Sequence, residues 1–114
     1  MIFRMKQVTL RQGHLMAGIF HIQHYRTSES LHLRLTGIFD REAALWLVEE
    51  LNKNRLGTAK IFVHTGPLDK VINSGAEFFR SSVASLERSG AQIIFTGDSG
   101  RKIAGEAPGV LFMK

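Results

Sequence analysis

The chain has 114 residues, of which 44% are hydrophobic and 22% charged, and this is the composition of one globular domain that can build its own core. It contains no cysteine, which excludes disulfides and thiolate metal sites, and no apolar run approaches the ~20 residues of a membrane span. The net charge is +5, and the excess lies in residues 1–35, which predicts a solvated basic edge or, as the alternative, a surface that attracts an acidic partner. We expect a cytoplasmic protein with no nucleic-acid partner and no membrane insertion.

Two stretches with alternating apolar and polar residues, 18–26 and 31–37, have the period of half-buried strands. The sequence "TSES" between them is typical of a turn, so we expect the two strands to pair as a hairpin. Three leucines of the second strand face one way, and His32 and Arg34 face the other. Residues 1–17 are predicted to be an N-terminal extension or an edge strand, which leaves residues 18–114 as a single domain.

An amphipathic helix is predicted over residues 40–57, where Asp40 can cap the N-terminus and Gly57 can end the helix. Its apolar stripe consists of Ala44, Leu47, Val48, Leu51 and the stem of Arg55. Trp46 lies about 150° from this stripe at ~100° per residue, on a face with Glu42, Glu49, Glu50 and Lys53. Trp46 is therefore either an exposed anchor for a partner or a residue covered by the apolar side chains of residues 1–17.

The next stretch, "KIFVHTG" (60–66), predicts a central strand, and "PLDKVI" (67–72) predicts a connecting loop. The sequence "SGAE" fits a capping box, with Ser74 as the cap and Glu77 three residues later, so a second helix is predicted over residues 74–89. A phosphorylated serine is the alternative function for Ser74, because the N-terminus of a helix stabilises a phosphate.

The C-terminal quarter predicts a buried strand at "AQIIFTG" (91–97), a short helix within 99–109, and a final strand or helix remnant at "VLFMK" (110–114). Strands that alternate with helices indicate parallel pairing with right-handed crossovers, whereas the hairpin adds an antiparallel edge. The predicted fold class is therefore α/β, with a small mixed β-sheet and helices packed mainly on one face.

The order of these elements resembles the STAS domain, a family that includes bacterial anti-sigma-factor antagonists. The resemblance covers residues 18–112 and depends on four stretches in order, "LTGIFD" (35–40), "AKIFVHTGPLDKVINSG" (59–75), "LERSGAQIIFTG" (86–97) and "SGRKIAGEAPGVL" (99–111). It implies a STAS-like fold and a role in protein–protein interaction, signal transduction and transcription regulation. The implied partner is an anti-sigma-type serine kinase or another regulator, and a homodimer is left open.

The stretch that the family often phosphorylates departs from the family pattern. Asn73 stands where the phosphoacceptor serine is usual, and Ser74 matches the second serine. Ile72 replaces the Asp before the serines, and His64 replaces the acidic residue that ends the central strand. We therefore expect a degenerate phosphorylation motif that is not phosphorylated at the usual position.

The first functional hypothesis is a non-enzymatic regulatory module that binds a protein partner. We expect the partner to contact Asp40, Trp46, Asp69, Lys70, Gly75, Ala76, Phe78 and Arg80, with Phe78 and Ala76 as the apolar centre. For Phe78 the alternative is packing against the neighbouring helix. The second hypothesis is a STAS-like subunit of a transport or lipid-handling complex, contacted through Leu45 and Trp46.

No paired acid and base, activated nucleophile or metal-ligand spacing supports an enzyme, and we expect neither a cofactor nor a metal. His21 and His24 lie on opposite faces of their strand. His64 ends the central strand, where it titrates or forms a hydrogen bond across the loop, or is simply a satisfied strand-end residue.

Overall fold

The computed structural model describes residues 20–54, 57–83, 91–105 and 110–113 in full and residues 5–9 by their backbone. The elements, in chain order, are β1 (Met5–Thr9), β2 (Phe20–Arg26), β3 (Ser30–Phe39), α1 (Arg41–Asn54), β4 (Lys60–His64), β5 (Leu68–Val71), α2 (Asn73–Val83), β6 (Gln92–Thr96), α3 (Ser99–Ala104) and β7 (Val110–Met113).

The strands form one mixed sheet in the order β1-β2-β3-β4-β6-β7, with β5 paired to the end of β3. The pairs β1–β2 and β2–β3 are antiparallel, and β3–β4, β4–β6 and β6–β7 are parallel. The predicted hairpin and the predicted α/β class with a mixed sheet are confirmed. Residues 5–9 lie at one edge of this sheet, and the division of the chain at residue 17 stays a prediction.

One face of the sheet carries the core, and the three helices of the described residues pack on it. Leu31, Leu33 and Leu35 of β3 are at most 2% exposed, as their alternation with His32 and Arg34 predicts. They meet buried side chains from each helix, among them Ala44, Leu47 and Leu51 of α1, Phe79 and Val83 of α2, and Ile103 of α3. Burial of each large apolar side chain stabilises the fold by roughly 1.5–3 kcal/mol.

The beginning of α1 is built as the sequence predicts. The Oδ1 atom of Asp40 accepts a hydrogen bond from the backbone N–H of Ala43 at 2.9 Å. Its backbone oxygen accepts the first helical bond, from the N–H of Ala44. Asp40 is therefore the N-cap. After the described end of α1 at Asn54, Gly57 has a φ of +79°, the left-handed conformation that follows many helix ends.

The predicted loop at residues 67–72 is wrong, because Leu68–Val71 forms the strand β5. This strand pairs in parallel with the end of β3 across a register irregularity between Gly37 and Ile38. It has only four residues, and its two polar residues stand side by side between Leu68 and Val71, so it has no apolar alternation by which it could be recognised. The strand forms because its backbone pairs with β3, and this pairing cannot be seen in the sequence of residues 68–71 alone.

The beginning of α2 also differs from the prediction. The backbone oxygen of Ile72 accepts the helical bond from the N–H of Ala76, which makes Ile72 the N-cap and places Ser74 in the first turn. The predicted capping box at Ser74 is therefore wrong. The N–H of Ile72 donates to the backbone oxygen of Phe39, so the sheet determines where the helix begins. The predicted continuation of this helix to residue 89 lies outside the described residues.

The C-terminal elements follow the prediction closely. The strand β6 occupies Gln92–Thr96 and the helix α3 occupies Ser99–Ala104, each within its predicted range. For the last residues, Val110–Met113 is a strand that pairs with β6, so the alternative of a helix remnant is wrong.

Candidate partner-binding surface

The first turn of α2 lies directly against the junction of β3 and α1. A Cβ atom placed on Gly75 would lie 2.6 Å from the backbone oxygen of Asp40 and 2.9 Å from that of Phe39. Only glycine fits there without a backbone shift, because real Cβ atoms do not approach backbone atoms so closely. The first turn of α2 is therefore packed closely against the N-terminus of α1.

Two of the predicted contact residues are interior residues. Gly75 is buried at this junction, and Ala76 is only 2% exposed. The expectation that Ala76 helps to form an apolar centre for a partner is therefore corrected, because its methyl group packs inside the protein. Gly75 has a structural role, and a large residue there would disrupt the fold before it could report on binding.

Phe78 lies one turn after Ser74 on the same side of α2 and is half-buried. Its inner side packs against the core, and the guanidinium of Arg41 from α1 lies 4.8 Å from its ring centroid. This geometry is a cation–π contact, which stabilises by about 0.5–1 kcal/mol at an exposed site. The expected packing of Phe78 against the neighbouring helix is confirmed, and part of its ring stays exposed.

We name the outer side of these two helices the α1–α2 surface, which consists of Arg41 and Leu45 of α1 with Ser74 and Phe78 of α2. Leu45 is 42% exposed and lies one turn after Arg41. Asn73 and Ser74 are both exposed, and Ile72 before them is 36% exposed. Large apolar side chains at the surface, bordered by polar and charged groups, are the usual composition of a docking site.

The remaining predicted contact residues are not all brought to this surface, because Arg80 lies two residues after Phe78 on α2 and so points to the opposite side of that helix. Asp69 and Lys70 are exposed on β5, and Arg80 is exposed on α2 with its stem close to Gly105. Asp40 is half-buried, and its carboxylate is engaged as the cap of α1.

For Trp46 the sequence left two alternatives, an exposed anchor or a covered residue, and the structure does not show a fully exposed side chain. It is half-buried and packs against the core cluster. The candidates to cover it were residues 1–17, of which only the backbone of residues 5–9 is described. Much of the Trp46 side chain already packs against the core. This burial weakens the support for Trp46 as an anchor in a transport or lipid-handling complex.

Glu50 was expected on the outer face of α1, but it is buried. Its Oε1 atom lies 2.6 Å from Nε2 of His24 on β2, and its Oε2 atom lies 3.3 Å from Nζ of Lys53. The hydrogen bond from His24 holds the pKa of the Glu50 carboxyl below its ordinary value, although burial opposes this shift. The pair joins β2 to α1, and no sequence signal could have revealed it, because 26 residues separate its partners.

The described residues contain no group of three or more His, Asp or Glu side chains that could hold a metal ion. His32 and His64 lie on the opposite face of the sheet from the α1–α2 surface, 2.9 Å apart between Nδ1 and Nε2. Nδ1 of His64 also lies 2.7 Å from Oγ1 of Thr96 on β6, so His64 is a satisfied strand-end residue, the second of its two predicted alternatives, and its described bonds run to neighbouring strands instead of across the loop. Among the described helices, none is long and apolar enough to cross a membrane.

Comparison with known proteins gives no sequence match, either to a protein-family model or to a characterised protein. Solved structures do match. The anti-sigma factor antagonist SpoIIAA in its unphosphorylated form is 19% identical, with a TM-score of 0.58, and the match covers 82% of this chain and 87% of that one. The Bacillus cell fate determinant SpoIIAA in the phosphorylated form is also 19% identical, with a TM-score of 0.56 over 82% of this chain and 91% of that one.

Two further structures extend the comparison. An uncharacterized DUF3478-family protein with a SpoIIAA-like fold from Shewanella loihica PV-4 is 13% identical, with a TM-score of 0.54 over 83% of this chain and 85% of that one. The structure described as Mglu is 18% identical with a TM-score of 0.56, but the match covers 63% of this chain and spans only 18% of that protein. The chain therefore has the SpoIIAA-like fold, and the predicted resemblance to STAS domains is confirmed at the level of the fold.

Proposed function

We propose that this chain is a non-enzymatic regulatory module that binds a protein partner through the α1–α2 surface. The observation that carries the proposal is the position of Phe78, which is held beneath Arg41 and half-exposed, with Leu45 42% exposed on the adjoining helix. An apolar centre of this kind suits a protein more than a small polar ligand, and we propose the exposed Asp69 and Lys70 of β5 as charges at its rim.

The structural similarity to SpoIIAA supports a regulatory protein as the partner. That protein is an anti-sigma factor antagonist, and structures of it exist in unphosphorylated and phosphorylated forms. By analogy, the partner here is an anti-sigma-type serine kinase or another regulator, in bacterial signal transduction that controls transcription in the cytoplasm. Asn73 has no hydroxyl group at the usual acceptor position, so we propose a module that is not phosphorylated there.

A pair of matched leucine variants tests the surface. Leu45→Asp places a charge on the α1–α2 surface, whereas Leu111→Asp places the same charge at a residue that is 47% exposed on the opposite face of the sheet. The experiment captures binding proteins from a lysate of the source cells on the immobilised chain and measures the affinity of each recovered partner. We expect Leu45→Asp and Phe78→Asp to weaken binding by about tenfold or more, because truncating or charging a central apolar contact costs about 2 kcal/mol or more.

Leu111→Asp should bind as the unmodified chain does. Thermal melts of all variants must first show that they fold, because Phe78 also packs against the core. Equal binding by the two leucine variants would contradict the proposed surface. If the partner were recovered only in detergent extracts together with a transporter, the alternative of a transport or lipid-handling subunit would replace the regulatory function.

A further inference from the structure

The face of the sheet opposite the helices carries two straight rows of side chains, with one residue from each of five strands. The pairing register between neighbouring strands places each row at one level. The first, which we name the ring row, consists of Tyr25, His32, Phe62, Ile94 and Leu111. The second, which we name the polar row, consists of Gln23, Arg34, His64, Thr96 and Met113.

The ring row holds His32 between two aromatic rings. The centroid of His32 lies 4.6 Å from that of Tyr25 and 4.7 Å from that of Phe62, with interplanar angles of 5° and 7°. Three stacked rings on three adjacent strands leave the imidazole little freedom to rotate. Ile94, which follows in the same row, is only 5% exposed although it does not belong to the core cluster. This part of the face is therefore closely packed.

His32 begins a hydrogen-bonded relay that ends in the polar row. Its Nδ1 atom lies 2.9 Å from Nε2 of His64, and Nδ1 of His64 lies 2.7 Å from Oγ1 of Thr96. Burial lowers the pKa of both imidazoles, and repulsion from a protonated His32 and from the charge of Arg34 lowers the pKa of His64 further. Both rings are consequently neutral at neutral pH, and each carries a single N–H.

Two neutral proton arrangements satisfy this relay. In the outward arrangement, His32 donates from Nδ1 to His64, His64 donates from Nδ1 to Thr96, and the hydroxyl hydrogen of Thr96 is left to donate to a ligand. In the inward arrangement, the Thr96 hydroxyl donates to Nδ1 of His64, and His64 donates from Nε2 to His32. The same number of protons is bound in both, so an acceptor next to Thr96 selects the outward arrangement without a change of charge.

A depression of about 370 Å³ opens beside the polar row, at the carboxyl ends of β4 and β6. It is lined by Tyr25, Arg34, His64, Pro67 and Thr96, together with two glycines. The volume lies within the range of sites for small organic ligands. Arg34 is exposed and donates from Nη1 to Oε1 of Gln23 at 2.9 Å, which leaves most of its five N–H donors for a ligand. None of the described residues that line the depression is acidic.

We propose that this depression binds a small organic anion, a carboxylate or phosphate monoester that carries a compact aromatic or apolar group. The Arg34 guanidinium pairs with the anionic group, and the Thr96 hydroxyl donates a second hydrogen bond in the outward arrangement of the relay. Tyr25 and Pro67 form the apolar wall that contacts the organic part. The site lies on the opposite face of the sheet from the α1–α2 surface, so it does not depend on the proposed partner function.

The test titrates the full chain, labelled with ¹⁵N, with three probes: benzoate, phenyl phosphate and inorganic phosphate. Amide shifts give the dissociation constants, and two-bond ¹H–¹⁵N spectra of the histidines report which ring nitrogen carries the proton. We expect benzoate or phenyl phosphate to saturate shifts at Arg34, Thr96 and Gly97. We also expect His64 to become uniformly protonated at Nδ1, a change that nonspecific attraction to a basic surface would not produce.

Two charge-matched variants decide whether the site is specific. Arg34→Gln should weaken binding about tenfold, the effect of losing a charge-assisted hydrogen bond. Lys60→Gln removes the same charge from an exposed residue of β4 that does not line the depression, and it should leave the affinity unchanged. The proposal is overturned if both variants weaken binding equally, if no probe saturates, or if inorganic phosphate binds as tightly as phenyl phosphate.

Discussion

Gly75 of α2 lies so close to Asp40, the N-cap of α1, that a Cβ atom on Gly75 would be 2.6 Å from the Asp40 backbone oxygen. This contact packs the first turn of α2 against the beginning of α1, and the α1–α2 surface depends on that packing. The contact sets two effects against each other, because alanine favours a helix over glycine by about 1 kcal/mol whereas the clash involves backbone atoms that cannot rotate away.

We expect the clash to win, so that Gly75→Ala lowers the free energy of unfolding by about 1–3 kcal/mol, the usual cost of overpacking. Chemical denaturation of the two chains measures this difference. Gly66→Ala is the matched control, because a Cβ atom there would have no atom within 4 Å and Gly66 is not in the left-handed region. If the two alanine variants were equally stable, the close packing of α2 on Asp40 would be refuted.

The His24–Glu50 pair predicts a pH dependence of stability. Because the pKa of Glu50 is lower in the folded protein than in the unfolded chain, the unfolded chain takes up a proton first as the pH falls. The stabilisation is therefore complete above the ordinary glutamate pKa and is lost as the pH falls through the folded pKa. Glu50→Gln should remove this acid-dependent part, as measured by unfolding free energies from neutral to acidic pH.

Glu49→Gln is the control for that measurement, because Glu49 is the exposed neighbour of Glu50 on α1. It should leave the shape of the pH profile unchanged. An acid profile that Glu49→Gln and Glu50→Gln alter to the same extent would mean that the His24 contact does not lower the pKa of Glu50.

The His32–His64 relay predicts a second acid sensitivity at higher pH. Burial lowers the pKa of both imidazoles, so the unfolded chain binds protons before the folded one does. Stability should be greatest above the ordinary histidine pKa and should decline as the pH falls from about 7 to about 5. The double variant His32→Gln and His64→Gln should show a flatter profile over this range, and an unchanged slope would contradict the lowered pKa values.

Because Asn73 has no hydroxyl group, we expect no phosphorylation at the position where the family usually carries a phosphoacceptor serine. After incubation with cell lysate and ATP, the intact mass of the unmodified chain should not increase, whereas Asn73→Ser should gain one phosphate because it restores a hydroxyl group at an exposed residue. Ser74→Ala is the control. A phosphate on the unmodified chain that disappears in Ser74→Ala would make Ser74 the regulatory residue and would refute the expectation of an unphosphorylated module.

The sequence by itself determined the features that depend on residues close together in the chain. The alternation around His32 and Arg34 identified the strand β3 and its two faces, because the period of a strand is a local property. Asp40 identified the beginning of α1, because its side chain bonds to an N–H only three residues later. The order of such local elements was sufficient to predict the α/β class and the resemblance to STAS domains.

Only the tertiary structure decided the features that depend on which distant residues meet. The strand β5 and the beginning of α2 at Asn73 follow from hydrogen bonds to β3, and these overrode the local capping signal at Ser74. Glu50 was expected at the surface because helical spacing alone cannot show that His24, 26 residues away, faces it. The relay from His32 to Thr96 likewise required the register of three strands, since a shift of one residue would send these side chains to the other face.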